Sequence, residues 1–412
     1  MLFNKNRLIT LMDQFELDAV VASTAENIFY LSGFSSWSQH AYHYENVQVY
    51  VVFPRDESQQ PTLLIPGGDL GYAALKEVWI QQIHNYGRKR TPKISENADL
   101  SPEEERILFL ADQAPKGGTP EEALVFLLQE KGLQNSRIGV DQAGIPLPSM
   151  EKIRSLLSGS NILLASNFFR NVRMIKTGDE IERLRQTAKL NEIAATAMLK
   201  QAKPGVSEDE VASAYRREIA RAGGEIFWLH LTASQGFNLP PIKDRILQSG
   251  NIMRADMGCS YQGYQADTCR AGCVGTPGDK QQRIYEALQA GVLKSVELLK
   301  PGVYPSELYE AMIQGVRAGG IPDYSNFFAG HTIGLEAREF PFLIGPEKAL
   351  DDPFLPKTSE VPMEPGMVVN IEASNHELGW GSVAVEYTLV VTDNGNEHII
   401  PPQQRLYSLP LE

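Results

Sequence analysis

Two four-residue signatures recur in the second half of the chain at almost the same spacing. "KPGV" occupies 203–206 and returns at 300–303, 97 residues on; "RAGG" occupies 221–224 and returns at 317–320, 96 residues on. Both sit where helices end: Pro-Gly turns the chain, and a glycine just past a helix closes it. Each copy reads as helix, KPGV turn, helix, RAGG stop and then strands. The helix before the first turn is 180–202. That before the second is about 280–299, with Ile284, Leu288, Val292 and Val296 along one face. Shared turn chemistry accounts for part of the likeness but not for the matched offsets. A repeat of this kind predicts two related ααββ halves over 180–400, packed about a pseudo-two-fold axis.

What precedes the repeat follows a different pattern. A chain of 412 residues is too long for one ordinary core, so at least two domains are expected. "NRLITLMDQF" reads as a short amphipathic helix, and "DAVVAS", "VQVYVVF" and "TLLIP" as apolar strands. "EEALVFLLQEKG", "RIGVD" and "SMEKIRSLL" follow as helix, strand and helix. The polar stretch from about 85 to 120 reads as an insertion or exposed excursion. Thr177, with Glu180 three residues on, predicts the capped start of a long helix. The boundary is therefore placed at 172/173, giving an α/β domain over 1–172 and an α+β domain over 173–412.

Charge and composition exclude several classes. The formal net charge is -13, and "GRKR" at 87–90 is the longest basic run, which argues against a nucleic-acid partner. No apolar run approaches ~18 residues, and the start of the sequence lacks a signal-peptide pattern, so neither a membrane span nor secretion is expected. Three cysteines, an odd number in a long chain, fit a reducing compartment, and the cytoplasm is the expected location. Cys259, Cys269 and Cys273 lack a C-x-x-C pattern and are expected to be packed, inert thiols. Serine-hydrolase, P-loop and dinucleotide motifs are absent from the sequence.

The chemistry concentrates in acids at the end of each half. Asp256 and Asp267 lie on "IMRADMG" and "YQADTCRAG"; Glu372 and Glu386 lie on "GMVVNIEAS" and "GSVAVEYTLVV". A carboxylate in an apolar strand is costly unless it is paired or binds a metal. Any one of these acids alone is more simply read as solvated or salt-bridged. Four of them, symmetrically disposed, would repel one another without a cation between them. His331, in "FFAGHTIGLEAREF", adds an imidazole suited to a transition metal. Asp256, Asp267, His331, Glu372 and Glu386 suffice for two metal ions, and two ions ~3.5–4 Å apart can hold a hydroxide and polarise a carbonyl.

"ADMG…YQADTCR", "GHTIGLEAREF", "VNIEAS" and "VAVEYTLVVT" resemble the pita-bread metallohydrolases: prolidase, aminopeptidase P, methionine aminopeptidase and the metal-free creatinase. "ENIFYLSGF" at 26–34 resembles the amino-terminal domain of the creatinase/prolidase branch. The resemblance implies a creatinase-like α/β domain serving dimerisation and as a lid, followed by a pita-bread catalytic domain. It implies Asp256 on one metal, Asp267 and Glu386 bridging, and His331 and Glu372 on the other, with Glu372 relaying a proton. It also implies a homodimer in which part of one amino-terminal domain covers the partner's pocket. The metals would be two divalent transition ions, manganese foremost, with zinc, cobalt or iron as alternatives.

Several positions depart from the family pattern. Pro241 stands in the region where prolidase-like proteins carry a histidine, Arg338 replaces the histidine of "GHGIGLxxHE", and Ala384 and Tyr387 flank the last ligand in place of arginine and acid. Arg338 can grip a substrate carboxylate or steady an oxyanion, or it can pair with Glu336 or Glu339. His230, in "EIFWLHLTASQG", is a candidate substrate contact or a packed core histidine. Trp37, His40 and His43, in "SSWSQHAYHYEN", are candidates for the lid or ordinary loop residues. The expected function is metal-dependent hydrolysis of the Xaa-Pro aminopeptidase or dipeptidase type, a hydroxide attacking the scissile amide. The alternative is a hydrolase or lyase of a small metabolite on the same scaffold, like ectoine hydrolase or the dimethylsulfoniopropionate lyases. A binding module without catalysis is the third reading, disfavoured because all five ligand positions are filled.

Overall fold

The computed structural model describes residues 2–42, 47–75, 78–88, 92–113, 116–345 and 352–412. The chain divides into compact units, Leu2–Val172 and Arg173–Glu412.

The first unit is built on a six-stranded mixed sheet of order β4-β3-β2-β1-β5-β6. Its strands are β1 (Ala19–Ala22), β2 (Tyr50–Pro54), β3 (Thr62–Pro66), β4 (Gln82–Tyr86), β5 (Arg137–Val140) and β6 (Asn161–Leu164). Its helices are α1 (Lys5–Gln14), α2 (Ala25–Ser32), α3 (Trp37–Ala41), α4 (Leu70–Leu75), α5 (Pro102–Asp112), α6 (Pro120–Glu130) and α7 (Leu147–Leu156), and α8 (Ser166–Arg173) follows. Every residue of β1 is buried, as expected of an apolar run lying inside a sheet. Asp141, at the end of β5, accepts hydrogen bonds from Thr24 and from the Asn27 amide, and so ties the start of α2 to the sheet. The "ENIFYLSGF" stretch is that helix and its glycine cap, Gly33 at φ +75°. Between β4 and α6 the described residues are largely exposed, as an excursion should be. The polar stretch at 85–120 contains α5, whose "SPEEE" is a capping box from Ser101 to Glu104 with proline in the first turn. Its charges look like loop because only Leu110 and Ala111 are buried.

The second unit holds the repeat. The first half comprises α9 (Gly178–Leu199), α10 (Glu208–Arg221), β7 (Glu225–Ala233), β8 (Ile252–Tyr261) and β9 (Tyr264–Val274). The second comprises α11 (Asp279–Leu298), α12 (Pro305–Ala318), β10 (Phe328–Thr332), β11 (Glu339–Ile344), β12 (Val368–Glu377) and β13 (Gly381–Thr392), followed by β14 (Gly395–His398) and β15 (Tyr407–Leu409). The strands form two sheets, of order β15-β9-β8-β7 and β11-β10-β12-β13-β14. The expected strand pairs are the hairpins β8/β9 and β12/β13, and each gains a neighbour, β7 or β10, on its outer side. The KPGV glycines, Gly205 and Gly302, share φ values of +89° and +90°, a conformation that only glycine adopts cheaply. Thr177 and Glu180 form the predicted reciprocal cap of α9. Leu288, Val292 and Val296 of α11 pack with Ile371, Val385 and Leu389 of the second sheet in one apolar core.

The loop between β10 and β11 is pinned by buried charge. Glu339 accepts from Lys176 Nζ at 2.8 Å and lies 3.2 Å from Arg173 Nε, and all three side chains are at most 3% exposed. Glu336 pairs with Arg173 as well. The two cations hold the Glu339 carboxyl below the ordinary carboxylate range even though burial acts the other way as the largest single effect. Glu339→Gln would leave two buried cations without their shared anion, a loss of about 3–5 kcal/mol. Urea denaturation of the substituted protein measures it; a change within the ±0.5 kcal/mol typical of surface sites would refute the pinning.

Candidate metal centre

Strand alternation and register decide which side chains meet. Directly opposed residues of antiparallel strands share a face, and so do residues two apart on one strand. On β8, Arg254, Asp256 and Gly258 therefore share a face with Asp267, which opposes Gly258, and with Cys269, which opposes Asp256. His230 of β7 opposes Asp256 on the same face. In the other sheet Glu372 opposes Glu386 across β12/β13, and His331 of β10 opposes Asn370 of β12. The two hairpins meet at β9 and β13, where the Thr388 hydroxyl approaches the Asp267 carbonyl at 3.5 Å.

The acids and the histidine gather at this junction. His331 is fully buried, Asp267 is 4% exposed and Glu386 is 5% exposed; Asp256 and Glu372 are half-buried. His331 Nδ1 lies 2.9 Å from the Thr332 carbonyl, which can only accept, so Nδ1 carries the proton. Nε2 is then a lone pair. It has no hydrogen-bond partner among the described residues and lies 3.3 Å from Asp267 Oδ2. Burial pushes the imidazole pKa down, keeping the ring neutral, which is the form that binds a metal.

The carboxyls respond to one another. Burial, then the charges of Asp256 and Glu372, drive Asp267 well above the carboxylate range. Burial, then Asp267 and Asp256, do the same to Glu386. The two share a hydrogen bond, so one of them carries a proton. Glu386 also accepts from the Asn370 amide at 2.5 Å. Glu372 is raised to about 7 by burial and then by Glu386. Asp256 differs: its Oδ1 accepts from Trp228 Nε1 at 2.7 Å and its Oδ2 from Arg254 at 2.6 Å. With Asp256 held by protein donors and Asp267 bonded to Glu386, no three His, Cys, Asp or Glu side chains among the described residues form a ready metal cage. The donor chemistry nevertheless fits a divalent transition metal: one buried imidazole lone pair beside carboxyls that need positive charge in order to ionise.

The other candidates fall in several places. Arg338 is exposed, and the acids once offered as its partners face Arg173 and Lys176 instead. Its guanidinium carbon lies 5.9 Å from the centre of the Phe328 ring, which in turn stacks on His331 at 5.8 Å. His230 lines the Asp256 side, and its Nδ1 has no partner among the described residues. Trp37 and His40 lie on α3 of the first unit, Trp37 stacked 6.1 Å from Tyr72 and 44% exposed, while His43 lies outside the described residues. The cysteines are buried and unbridged, and burial holds the Cys269 thiol protonated although it faces the site. Tyr387, one position out of phase with Glu386, turns into the core and donates to the Gln403 carbonyl.

Sequence reasoning missed Trp228, Arg254, Phe328 and Asn370. For Arg254 and Asn370 the signal was available: each stands two residues before an acid on its strand and so shares its face. Trp228 depends on Gly258, where a Cβ would fall 2.2 Å from the indole ring, and "MG" after the aspartate was the only trace of that fit.

Comparison with known proteins supports the same reading. Residues 182–393 match the model for metallopeptidase family M24, and residues 5–175 match the creatinase/prolidase N-terminal domain. The chain is 27% identical over 277 residues to an uncharacterised peptidase, YqhT, of Bacillus subtilis, covering 66% of this chain and 75% of the relative. It is 26% identical over 269 residues to an Xaa-Pro dipeptidase of Pyrococcus horikoshii, covering 64% and 73%. The fold is shared with a prolidase from Pyrococcus furiosus (TM-score 0.72, 21% identity, 96% of this chain and 100% of the other). It is shared too with an Xaa-Pro dipeptidase from Bacillus anthracis (TM-score 0.74, 22% identity, 98% of each chain). With more than half its length matched in the part that carries the acids, the chain belongs to metallopeptidase family M24 and is a metallopeptidase with a creatinase/prolidase domain at its amino end.

Proposed function

We propose that this metallopeptidase hydrolyses small Xaa-Pro peptides, as the Xaa-Pro dipeptidase relatives are named for doing, in the cytoplasm and as a homodimer. Family membership implies divalent metal ions. The observation that carries the reading is His331: buried, neutral, tied back through Nδ1, and presenting an unused Nε2 to Asp267. His331, Glu372, Asp267 and Glu386 would hold the metal, manganese first and zinc, cobalt or iron as alternatives. Asp256 is the fifth of the set, and Arg254 competes for it. When bound, the ion supplies Lewis acidity, polarising the scissile carbonyl and acidifying the attacking water. Glu372 takes the water's proton on a carboxylate oxygen and returns it to the leaving nitrogen. Arg338, held over Phe328 and with no carboxylate partner among the described residues, grips the substrate's terminal carboxylate with two parallel bonds. His230 contacts the substrate on the Asp256 side, and Trp37, His40 and His43 belong to the lid over the partner's pocket. The relatives are named as peptidases, which does not favour the small-metabolite alternative.

Assay of Mn- and Zn-loaded protein on Xaa-Pro dipeptides beside compact cyclic and N-acyl amides tests the substrate class. Turnover of the amides alone would overturn it. Glu372→Gln should lower kcat by about 10²–10⁴-fold. Arg338→Ala should leave the thermal midpoint unchanged and reduce kcat/KM by roughly 10–100-fold, the worth of a charged hydrogen bond. An unchanged kcat/KM would remove Arg338 from the substrate site.

Protonation sets the stability of chelator-treated protein. The Glu372 carboxyl is raised in the fold, so its contribution is complete below its unfolded value of ~4.3 and is lost as pH climbs through about 7. Metal binding needs ionised carboxylates, so the rise in midpoint on adding manganese should grow over the same window. Melting curves across pH, with and without manganese, check this. A metal-induced gain that is larger on the acid side would contradict the ligand set.

A further inference from the structure

Arg254 is a buried cation that the proposed chemistry does not use. It sits two residues before Asp256 on β8, inside the apolar run "NIMRADMG", with its side chain 3% exposed. One terminal nitrogen lies 2.6 Å from Asp256 Oδ2, the other donates to the Asn238 side chain, and Nε has no hydrogen-bond partner among the described residues. The remaining oxygen of Asp256 accepts from Trp228 Nε1. Both oxygens of the acid are thus committed to donors on its own sheet, Trp228 of β7 and Arg254 of β8. An arginine keeps its charge at every working pH, and such a group is tolerated inside a protein only where anions repay its desolvation. Here the anions are Asp256 and, through space, Glu372 and Glu386.

We infer that the Arg254 guanidinium stands in the place of a second metal ion, so that the centre takes one divalent ion per chain, on His331, Glu372, Asp267 and Glu386. The inference rests on the proposed metal centre and narrows it. Charge agrees. The four ionised acids carry four negative charges, and Arg254 with one divalent ion leaves a single negative charge. A second ion would invert the sign, and it would have to share Asp256 with a cation already at 2.6 Å. Arg254 serves the Asp256 side electrostatically and nothing more. A guanidinium has no open coordination position and does not acidify water, so water activation is confined to the His331 side.

The test is metal stoichiometry, which is independent of turnover. Full-length protein is stripped with chelator, dialysed to equilibrium against MnCl₂ or ZnCl₂, and analysed for metal per chain, with circular dichroism to confirm folding. Wild type should hold one ion. Asp256→Asn, whose amide oxygen still accepts a hydrogen bond, should also hold one, and this variant decides the matter should Arg254→Met fail to fold. Arg254→Met should hold two, because Asp256 is released. Two ions in wild type, loss of the ion in Asp256→Asn, or a single ion in folded Arg254→Met would each overturn the inference. Wild type that binds no ion would bring down the metal centre itself, a result distinct from all of these.

Discussion

Four carboxyls and an imidazole in one apolar seam cannot all be satisfied by hydrogen bonds alone, because like charges brought together in low dielectric raise one another's pKa. Asp267 and Glu386 answer by sharing a proton, and Glu372 by a pKa near 7. Asp256 answers with Arg254 and Trp228. The arrangement of the second unit serves this seam. Two hairpins bring their acids to the β9–β13 junction, and two helix pairs bury the sheets that carry them. A third strand on each side adds the residues that orient the acids, His331 from β10 and Trp228 from β7.

Much of this was legible in the sequence, and the reason is periodicity. The KPGV signature marks a backbone position with φ near +90° in each half, Gly205 and Gly302, so it survives while the helices around it diverge. The acids stand out because a charged residue in a run such as "VAVEYTLVV" breaks the composition of a buried strand. The Thr177–Glu180 cap was legible because both halves of the reciprocal bond are local. What escaped was non-local or masked by composition. Helix α5 buries little, so its polar sequence resembles loop. Trp228 reaches Asp256 only through the register of β7 on β8, which no local pattern encodes. The commitment of Glu336 and Glu339 to Arg173 and Lys176 spans more than 160 residues of chain, and it reverses the simplest expectation for Arg338.

That reversal has a consequence for how the site is held. Glu339 begins β11, directly after the loop that leaves His331's strand, and opposes Thr332 at the end of β10, so its buried pair with Lys176 fixes both the loop and the base of β10. Phe328, on the same strand as His331, presents its ring to the imidazole and to the Arg338 guanidinium. A cation over an aromatic face keeps most of its hydration and stays available to an incoming anion, whereas the same arginine locked to Glu339 would be spent. The ion pair at Lys176 thus keeps Glu339 from Arg338 while anchoring the segment that carries it.

The repeat also shows where the two halves parted. The position two residues before the first acid of each hairpin is Arg254 in one half and Asn370 in the other, and each lies on the face of its acid. Asn370 donates across the hairpin to Glu386 and leaves Glu372 without that partner. Arg254 donates along its own strand to Asp256 and neutralises it. A neutral amide organises a neighbouring carboxylate without reducing the negative charge available to an ion; a guanidinium organises and discharges it in the same contact. Starting from symmetric acids, that one difference in donor leaves Glu372 without a cationic partner on its strand while Asp256 has one, and under the one-ion proposal it would set which side of the seam takes the metal. The asymmetry of the centre therefore lies less in its ligands than in the residues that hold them.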